Sequence, residues 1–295
     1  MSRPGLDTNP LELGPDWFNT LFGEIGIDGE VRSLTSKSIG TGQIGENVRF
    51  VFDYARAGAN APKTLVGKFP SANELSIMTA KMLNHYKREV MFYRTFPKVA
   101  GRITPDALYT DYDPETNRFA LIMEDMAPSE QGDQLKGCGV DEAKLAMEAA
   151  AVLHAAHWED PVLDEHDWLQ GSAKAPPPGL GPEQIAGLWL GFKDRYAAQI
   201  NAEQIEVGDA YAASLPKWGD AYQGPHALTH SDYRLDNMLF GKPGAMKPLA
   251  VVDWQTAGKG APANDVAYFI GAGLTREERP KHEQMLLRHY HNALQ

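Results

Sequence analysis

The stretch "HSDYRLDNMLF", residues 230–240, packs a histidine, two aspartates, an arginine and an asparagine against the start of an apolar run. It follows "PHAL" and runs into "MLFG", so His230, Asp232 and Asn237, spaced as H-x-D-x-x-x-x-N, lie on a loop between two apolar segments. Downstream, "PLAVVDWQ" (248–255) reads as a buried strand ending on Asp253. If "MLFG" and "PLAVVD" pair antiparallel through the turn "KPGAMK", Asp253 returns beside the loop that carries Asn237. One carboxylate and one amide oxygen in that position suit a hard cation such as Mg²⁺, which keeps some of its waters and bridges phosphates. Asp232, aimed away from that pair, is then free to accept a proton from an attacking hydroxyl. Each of these residues taken alone is an ordinary loop or packing residue. Their conjunction carries the reading.

Upstream, residues 32–125 are strand-rich, with "RSLTSKSI", "VRFVFDY", "TLVGKF", "ALYTDYD" and "RFALIMED" punctuated by Gly-, Pro-, Asn- and Asp-rich turns. In "GTGQIGEN", Gly40, Gly42 and Gly45 spell G-x-G-x-x-G, which fits a dinucleotide turn, a flap over nucleotide phosphates or a plain hairpin. A strand follows and no helix, and no acidic residue lies about 20 positions on, which disfavours the dinucleotide turn. Thr64, Val66 and Lys68 share one face of their strand, and a lysine there needs an anionic partner if buried. The helical stretch after it carries a stripe of Leu75, Met78, Met82, Tyr86, Glu89 and Tyr93, so Glu89 takes a core-facing slot and is the candidate partner. The alternative is surface pairing of both.

After Asp125 the pattern turns helical, first at 141–158 and again at 184–201 beyond the Pro-rich "KAPPPGLGPEQ". The 295 residues are 43% hydrophobic with a net charge of −11, which suits a soluble protein and argues against nucleic acid as a partner. Cys138 is the sole cysteine, so no internal disulfide forms and a reducing, cytoplasmic setting is expected. No apolar run approaches the roughly 20 residues a membrane span needs. His154 and His157 have the i, i+3 spacing of a helix-borne metal pair but read as packing residues in the absence of nearby cysteine. The aromatics of the helical half, Trp158, Trp168, Trp189, Phe192, Tyr196 and Trp218, suit either core packing or an apolar acceptor site.

Glycine flap, strand lysine, helix glutamate, H-x-D-x-x-x-x-N and strand-terminal aspartate occur in the order that phosphoryl transfer on a kinase-type scaffold requires. From about Leu34 to Tyr290 the chain resembles the aminoglycoside-phosphotransferase-like branch of the kinase fold, which includes the choline kinases and ecdysteroid-kinase-like proteins. Its most specific parts are "LTHSDYRLDNMLF" and "AVVDWQTAGKGAPANDVAYFI". The resemblance implies a bilobal α+β, protein-kinase-like fold. Residues 1–123 would form a small antiparallel-sheet lobe with one long helix, 124–130 a hinge, and 131–295 a larger, mainly helical lobe. It implies ATP and Mg²⁺ as cofactors, with Asp232 as catalytic base and Asn237 and Asp253 as metal ligands. Lys68 paired with Glu89 would bind phosphate under the flap of Gly40, Gly42 and Gly45, and backbone groups from Glu124 to Met126 would meet the adenine. Asp265 would brace the catalytic loop.

The implied acceptor is a small-molecule alcohol or amino sugar, and the expected state is a monomer or weak dimer. A catalytically idle, pseudokinase-like nucleotide-binding regulator is the rival reading. Three departures stand out: "DWQ" replaces D-F-G with no A-P-E segment after it, Ser231 stands where many relatives have glycine, and the flap's valine comes one residue late. The chain ends in "HYHNALQ", an unfinished helical pattern, where many relatives continue for further helices.

Overall fold

Strand alternation decides what each face of the sheet touches, and this is what places the site. The computed structural model describes residues 6, 9–40, 44–175 and 182–295, without the side chains of 182, 216 and 218–220. After helix α1 (Pro15–Ile25) come β1 (Gly29–Ile39), β2 (Gly45–Ala57), β3 (Thr64–Pro70), helices α2 (Glu74–Met82), α3 (His85–Thr95) and α4 (Pro97–Ile103), then β4 (Ala107–Asp113) and β5 (Arg118–Glu124). The five strands form one antiparallel sheet in the order β1-β2-β3-β5-β4. Phe50 and Phe52 of β2, Leu65 and Phe69 of β3, and Ala120 and Ile122 of β5 point to one face, where Phe18, Leu21 and Phe22 of α1 cover them. The opposite face presents Asn47, Arg49, Val66, Lys68 and Met123 to an open cleft.

Helix α1 is absent from the sequence reading, although Pro15 at its first turn and Gly26 in the left-handed C-cap bracket it, both recognised helix punctuation. The single long helix expected over the Leu75–Tyr93 stripe is a pair. The chain breaks at Leu83–Asn84, where Asn84 takes φ 55°, and α3 restarts on a different line. The stripe therefore splits: Tyr86, Glu89 and Tyr93 are buried, whereas Leu75, Met78 and Met82 are exposed.

The second lobe comprises β6 (Glu130–Gln131), α5 (Val140–Ala156), β7 (Ala227–Thr229), β8 (Met238–Phe240), β9 (Leu249–Val251), β10 (Gly258–Gly260), α8 (Pro262–Gly273) and α9 (Arg279–Leu294). Helix α5 forms its spine, joined to α9 by the His289–Glu148 contact of 2.8 Å and the His154–Tyr290 hydrogen bond of 2.9 Å. The hairpin read from the sequence is present, with Met238 opposite Val251 and Phe240 opposite Leu249. Residues 176–225 form a separate compact unit containing α6 (Pro182–Arg195) and α7 (Ala202–Ala221). Within it Trp189 and Phe192 stack at 5.5 Å, and Trp189 Nε1 and Lys193 Nζ both donate to Asp209. The side chain of Trp218 lies outside the described residues.

Candidate active site

Lys68 sits at the centre of the cleft. Its position on β3 opposite Asn47 turns the side chain away from the α1-covered face, and its Nζ lies 2.7–2.8 Å from the Glu89 carboxylate and 2.7 Å from Asp253 Oδ1. Burial alone pulls a lysine's pKa down, but the two carboxylates more than reverse this and hold Lys68 above its ordinary value. Burial pushes the Glu89 carboxyl up against the pull of Lys68. For Asp253, burial works in the same upward direction but Lys68 outweighs it, and the carboxyl titrates below its ordinary value. The surface-pairing alternative for Lys68 and Glu89 fails, since both are buried and bonded to each other.

Asp253 arrives where the hairpin brings it. Val252 N–H donates to the Asn237 carbonyl at 2.9 Å, extending the β8–β9 ladder by one step, and Asp253 then turns with φ 69° into a short 3₁₀ turn. Its Oδ2 accepts from Gln255 Nε2 at 3.2 Å. Asn237 Nδ2 donates to both the carbonyl and Oδ2 of Asp232 at 2.9 Å. Asp232, Asn237, Asp253, Lys68 and Glu89 thus line one cleft of about 770 Å³. The Tyr268 phenol stands beside Asp232; burial, and then the charge of Asp232, push its pKa up.

The loop is held from behind. Asp265, buried on α8, accepts from His230 N at 2.7 Å, from Ser231 N at 2.8 Å and lies 3.2 Å from His154 Nε2. His230 spans the loop and the end of β9: Nδ1 accepts from Asp232 N and Nε2 meets the Val252 carbonyl at 2.9 Å, which a neutral ring with its hydrogen on Nε2 satisfies. Ser231 takes φ 66°, the left-handed conformation that glycine adopts without cost. Among the described residues no group of three or more His, Cys, Asp or Glu is arranged to hold a metal; His154 bonds Asp265 and Tyr290, and His157 bonds Asp160.

Of the flap glycines, Gly40 has φ 72° and Gly45 leaves little room for a side chain, since a Cβ there would meet Lys68 Cε and the Phe69 carbonyl at 3.1 Å. Gly42 lies outside the described residues. The valine that comes one place late, Val48, faces α1, and Asn47 takes its place in the cleft. At the other end of the cleft, Glu124 N–H donates to the Asp106 carbonyl at 3.0 Å and the Met126 carbonyl accepts from Ser129 N at 2.8 Å. Met126 N–H has no partner among the described residues.

Three residues were not legible as part of the site. Arg49 reaches across β3 to Asp125, with Nη2 and Nε at 2.9 and 2.8 Å from its two oxygens, and lines the same end of the cleft. Arg88 is buried and donates to the Gln255 carbonyl at 2.8 Å, tying α3 to the turn after Asp253. Trp254 is fully buried against Phe92. The alternation of "VRFVFDY" could have turned Arg49 to the Lys68 face; the other two contacts join segments over 160 residues apart.

The profile of the phosphotransferase enzyme family matches residues 130–295, more than half of the sequence. The chain belongs to that family. Acyl-CoA dehydrogenase family member 11 of Gallus gallus is 32% identical over 125 residues, which are 42% of this phosphotransferase-family chain and 14% of that protein. Among solved structures, a gentamicin–APH(2″)-IIa complex aligns with TM-score 0.54 at 16% identity, covering 96% of this chain and 85% of that one. A choline/ethanolamine kinase family protein from Mesorhizobium loti aligns with TM-score 0.50 at 18% identity, covering 87% and 69%. These likenesses establish the bilobal, protein-kinase-like α+β fold and, with the family, a small-molecule phosphotransferase architecture. No helix among the described residues is long and apolar enough to cross a membrane.

Proposed function

We propose that this protein is a small-molecule kinase that uses ATP and Mg²⁺ to phosphorylate a hydroxyl group. The observation that supports it best is the convergence of Asp232, Asn237, Asp253 and the Lys68–Glu89 pair on one cleft from four segments of the chain: β3, α3, the loop 230–237 and the turn after β9. Asp232 accepts the acceptor's proton as the hydroxyl oxygen bonds to the γ-phosphorus; the bond from that phosphorus to the bridging oxygen breaks, and ADP leaves. Lys68, steered by Glu89, holds phosphate oxygens and keeps the nucleotide in register. Asn237 does two things: Nδ2 fixes the Asp232 carboxylate, and its amide oxygen is left for a cation. Arg88 and the Phe92–Trp254 stack hold Asp253 opposite Asn237.

The donor set fits Mg²⁺: one amide oxygen and one carboxylate, with phosphates and water completing the shell. When bound, the cation would neutralise developing charge on the transferred group. Asp253 Oδ1 accepts from Lys68, so with a cation bound the Asp253 carboxylate would be shared between that cation and the ammonium, and Lys68 would keep donors for the phosphates. We place the hinge at 124–130, with Met126 N–H as the free backbone donor for the purine, and the flap glycines over the phosphates.

For the acceptor, the net charge of −11 favours cationic molecules such as amino sugars or choline-like amines, and the similar APH(2″)-IIa structure is itself a complex with gentamicin. The test is an ADP-release screen with Mg·ATP over amino sugars, choline-like amines, sterols and simple alcohols. Acceptor-dependent release supports the reading. Tight Mg·ATP binding without turnover on any acceptor identifies the protein as an idle nucleotide-binding regulator.

A further inference from the structure

Arg234 and Asp236 take no part in the reaction as described, yet both line the cleft. Arg234 Nε lies 3.2 Å from each carboxylate oxygen of Asp232, and its Nη1 donates to Asp236 Oδ2 at 2.6 Å. Asp236 is itself fixed: Oδ1 accepts from Gln134 N at 3.1 Å, and its carbonyl accepts from Gln131 Nε2 at 2.6 Å. The planar guanidinium is therefore pinned along one edge and one corner. Its Nη2 donates to no acceptor among the described residues, and about a third of the side chain is open to the cleft.

Of the other cations lining the cleft among the described residues, Lys68 is shared between Glu89 and Asp253, Arg49 is paired with Asp125, and Lys136 with Asp133. A terminal phosphoryl group that approaches Asp232 closely enough for transfer meets the negative charge of Asp232 and Asp236. The group able to offset that repulsion without any rearrangement is the Nη2 edge of Arg234, already oriented by its two carboxylates.

We propose that Arg234 binds the terminal phosphoryl group of the nucleotide through Nη2, with Asp236 as the positioning residue that aims it. The proposal rests on the kinase reading above and adds a phosphate-contacting residue to it. It also assigns a division of labour within one side chain: Nε keeps the Asp232 carboxylate in place while Nη2 serves the group being transferred. Arg234 thereby discriminates a nucleoside triphosphate from a diphosphate, which lacks that phosphoryl group.

Calorimetric titration of the full chain with Mg·ATP and, separately, Mg·ADP tests this without reference to turnover. For Arg234→Gln the expected result is a loss of Mg·ATP affinity of roughly tenfold or more, the size of a charge-assisted hydrogen bond, with Mg·ADP affinity within about twofold of wild type. Arg234→Lys should recover part of the ATP affinity. Asp236→Asn should move the ratio in the same direction as Arg234→Gln but less far. Retained ADP binding reports that a variant is folded. An unchanged ATP-to-ADP ratio in Arg234→Gln overturns the proposal and leaves the kinase reading intact, as does an equal loss for both nucleotides, which marks a structural role. Failure of the wild-type chain to bind either nucleotide overturns the kinase reading itself, and this proposal with it.

Discussion

Trp254 stacks on Phe92 with ring centroids 3.8 Å apart and planes within 3° of parallel, and both rings are fully buried. The contact joins α3, which carries Glu89, to the residue after Asp253, so the two carboxylates that flank Lys68 are fixed to each other by packing as well as by charge. Arg88, one residue before Glu89, repeats the link through the Gln255 carbonyl. Three successive inward positions of α3, at 88, 89 and 92, thus hold the turn at 253–255. The helix is seated, and Lys68 finds its partners already in place.

Trp254→Ala removes this seat. Loss of a buried indole should lower stability by about 3–5 kcal/mol. Below the variant's melting point, Mg·ATP affinity should still fall, because Asp253 and Glu89 are no longer held in register. Chemical denaturation paired with nucleotide titration separates the two effects; an unchanged nucleotide affinity in the folded variant would show that the stack serves stability alone.

Lys68 and Glu89 should not respond equally to substitution. Lys68→Met strips the cation from two carboxylates and should lower phosphoryl transfer by about two orders of magnitude or more. Glu89→Gln leaves the ammonium paired with Asp253 and keeps a hydrogen-bond acceptor, so its loss should be several-fold smaller. Steady-state rates for the two variants under saturating Mg·ATP give the comparison.

Asp265 supports the loop from α8 by accepting from two consecutive backbone N–H groups. Asp265→Asn keeps the shape but turns an NH₂ toward one of these donors, leaving a buried N–H unpaired at about 1–3 kcal/mol. The expected outcome is a lower melting temperature together with a fall in kcat and little change in KM for nucleotide, since the loop carries Asp232 and Asn237 and not the flap.

His85, at the start of α3, should make the fold acid-sensitive. Burial, and then the neighbouring Arg88 charge, bring its pKa down to about 4 from an ordinary 6.5. The folded state therefore prefers the neutral ring. Its contribution is fully present above pH 6.5 and is lost as pH falls from 6.5 toward 4, where only the unfolded chain takes the proton. The ring is partly open to solvent, so the loss should not exceed about 2 kcal/mol. Urea midpoints of wild type and His85→Gln between pH 7 and 4 should converge as pH falls; parallel curves would contradict the assignment.

What could be read in advance was whatever local periodicity encodes. The period-2 pattern of "TLVGKF" put Lys68 on the cleft face, and the hairpin from Met238 to Val251 carried Asp253 back to Asn237, because strand register follows from alternation and turn chemistry. The helix carrying Glu89 was legible by its stripe but not by its continuity. No proline or glycine marks the break at Leu83–Asn84, and the apolar spacing runs through it, so the exposure of Leu75, Met78 and Met82 has no signature in the sequence. Nor has Arg88, a charged residue that is buried because three backbone carbonyls, two of them from remote segments, accept its donors. Arg234 and Asp236 look like loop charges until the fold brings Gln131 and Gln134 against Asp236.

Asp232 is proposed to deprotonate an acceptor hydroxyl in a cleft that binds Mg·ATP independently of it. The most direct measurement is acceptor-dependent ADP release by wild type and Asp232→Ala at equal nucleotide occupancy, using the best acceptor from the screen. The variant should bind Mg·ATP with affinity close to wild type and lose acceptor-dependent release by a factor of about 10²–10⁴. Retention of wild-type, acceptor-dependent release by Asp232→Ala would contradict this role.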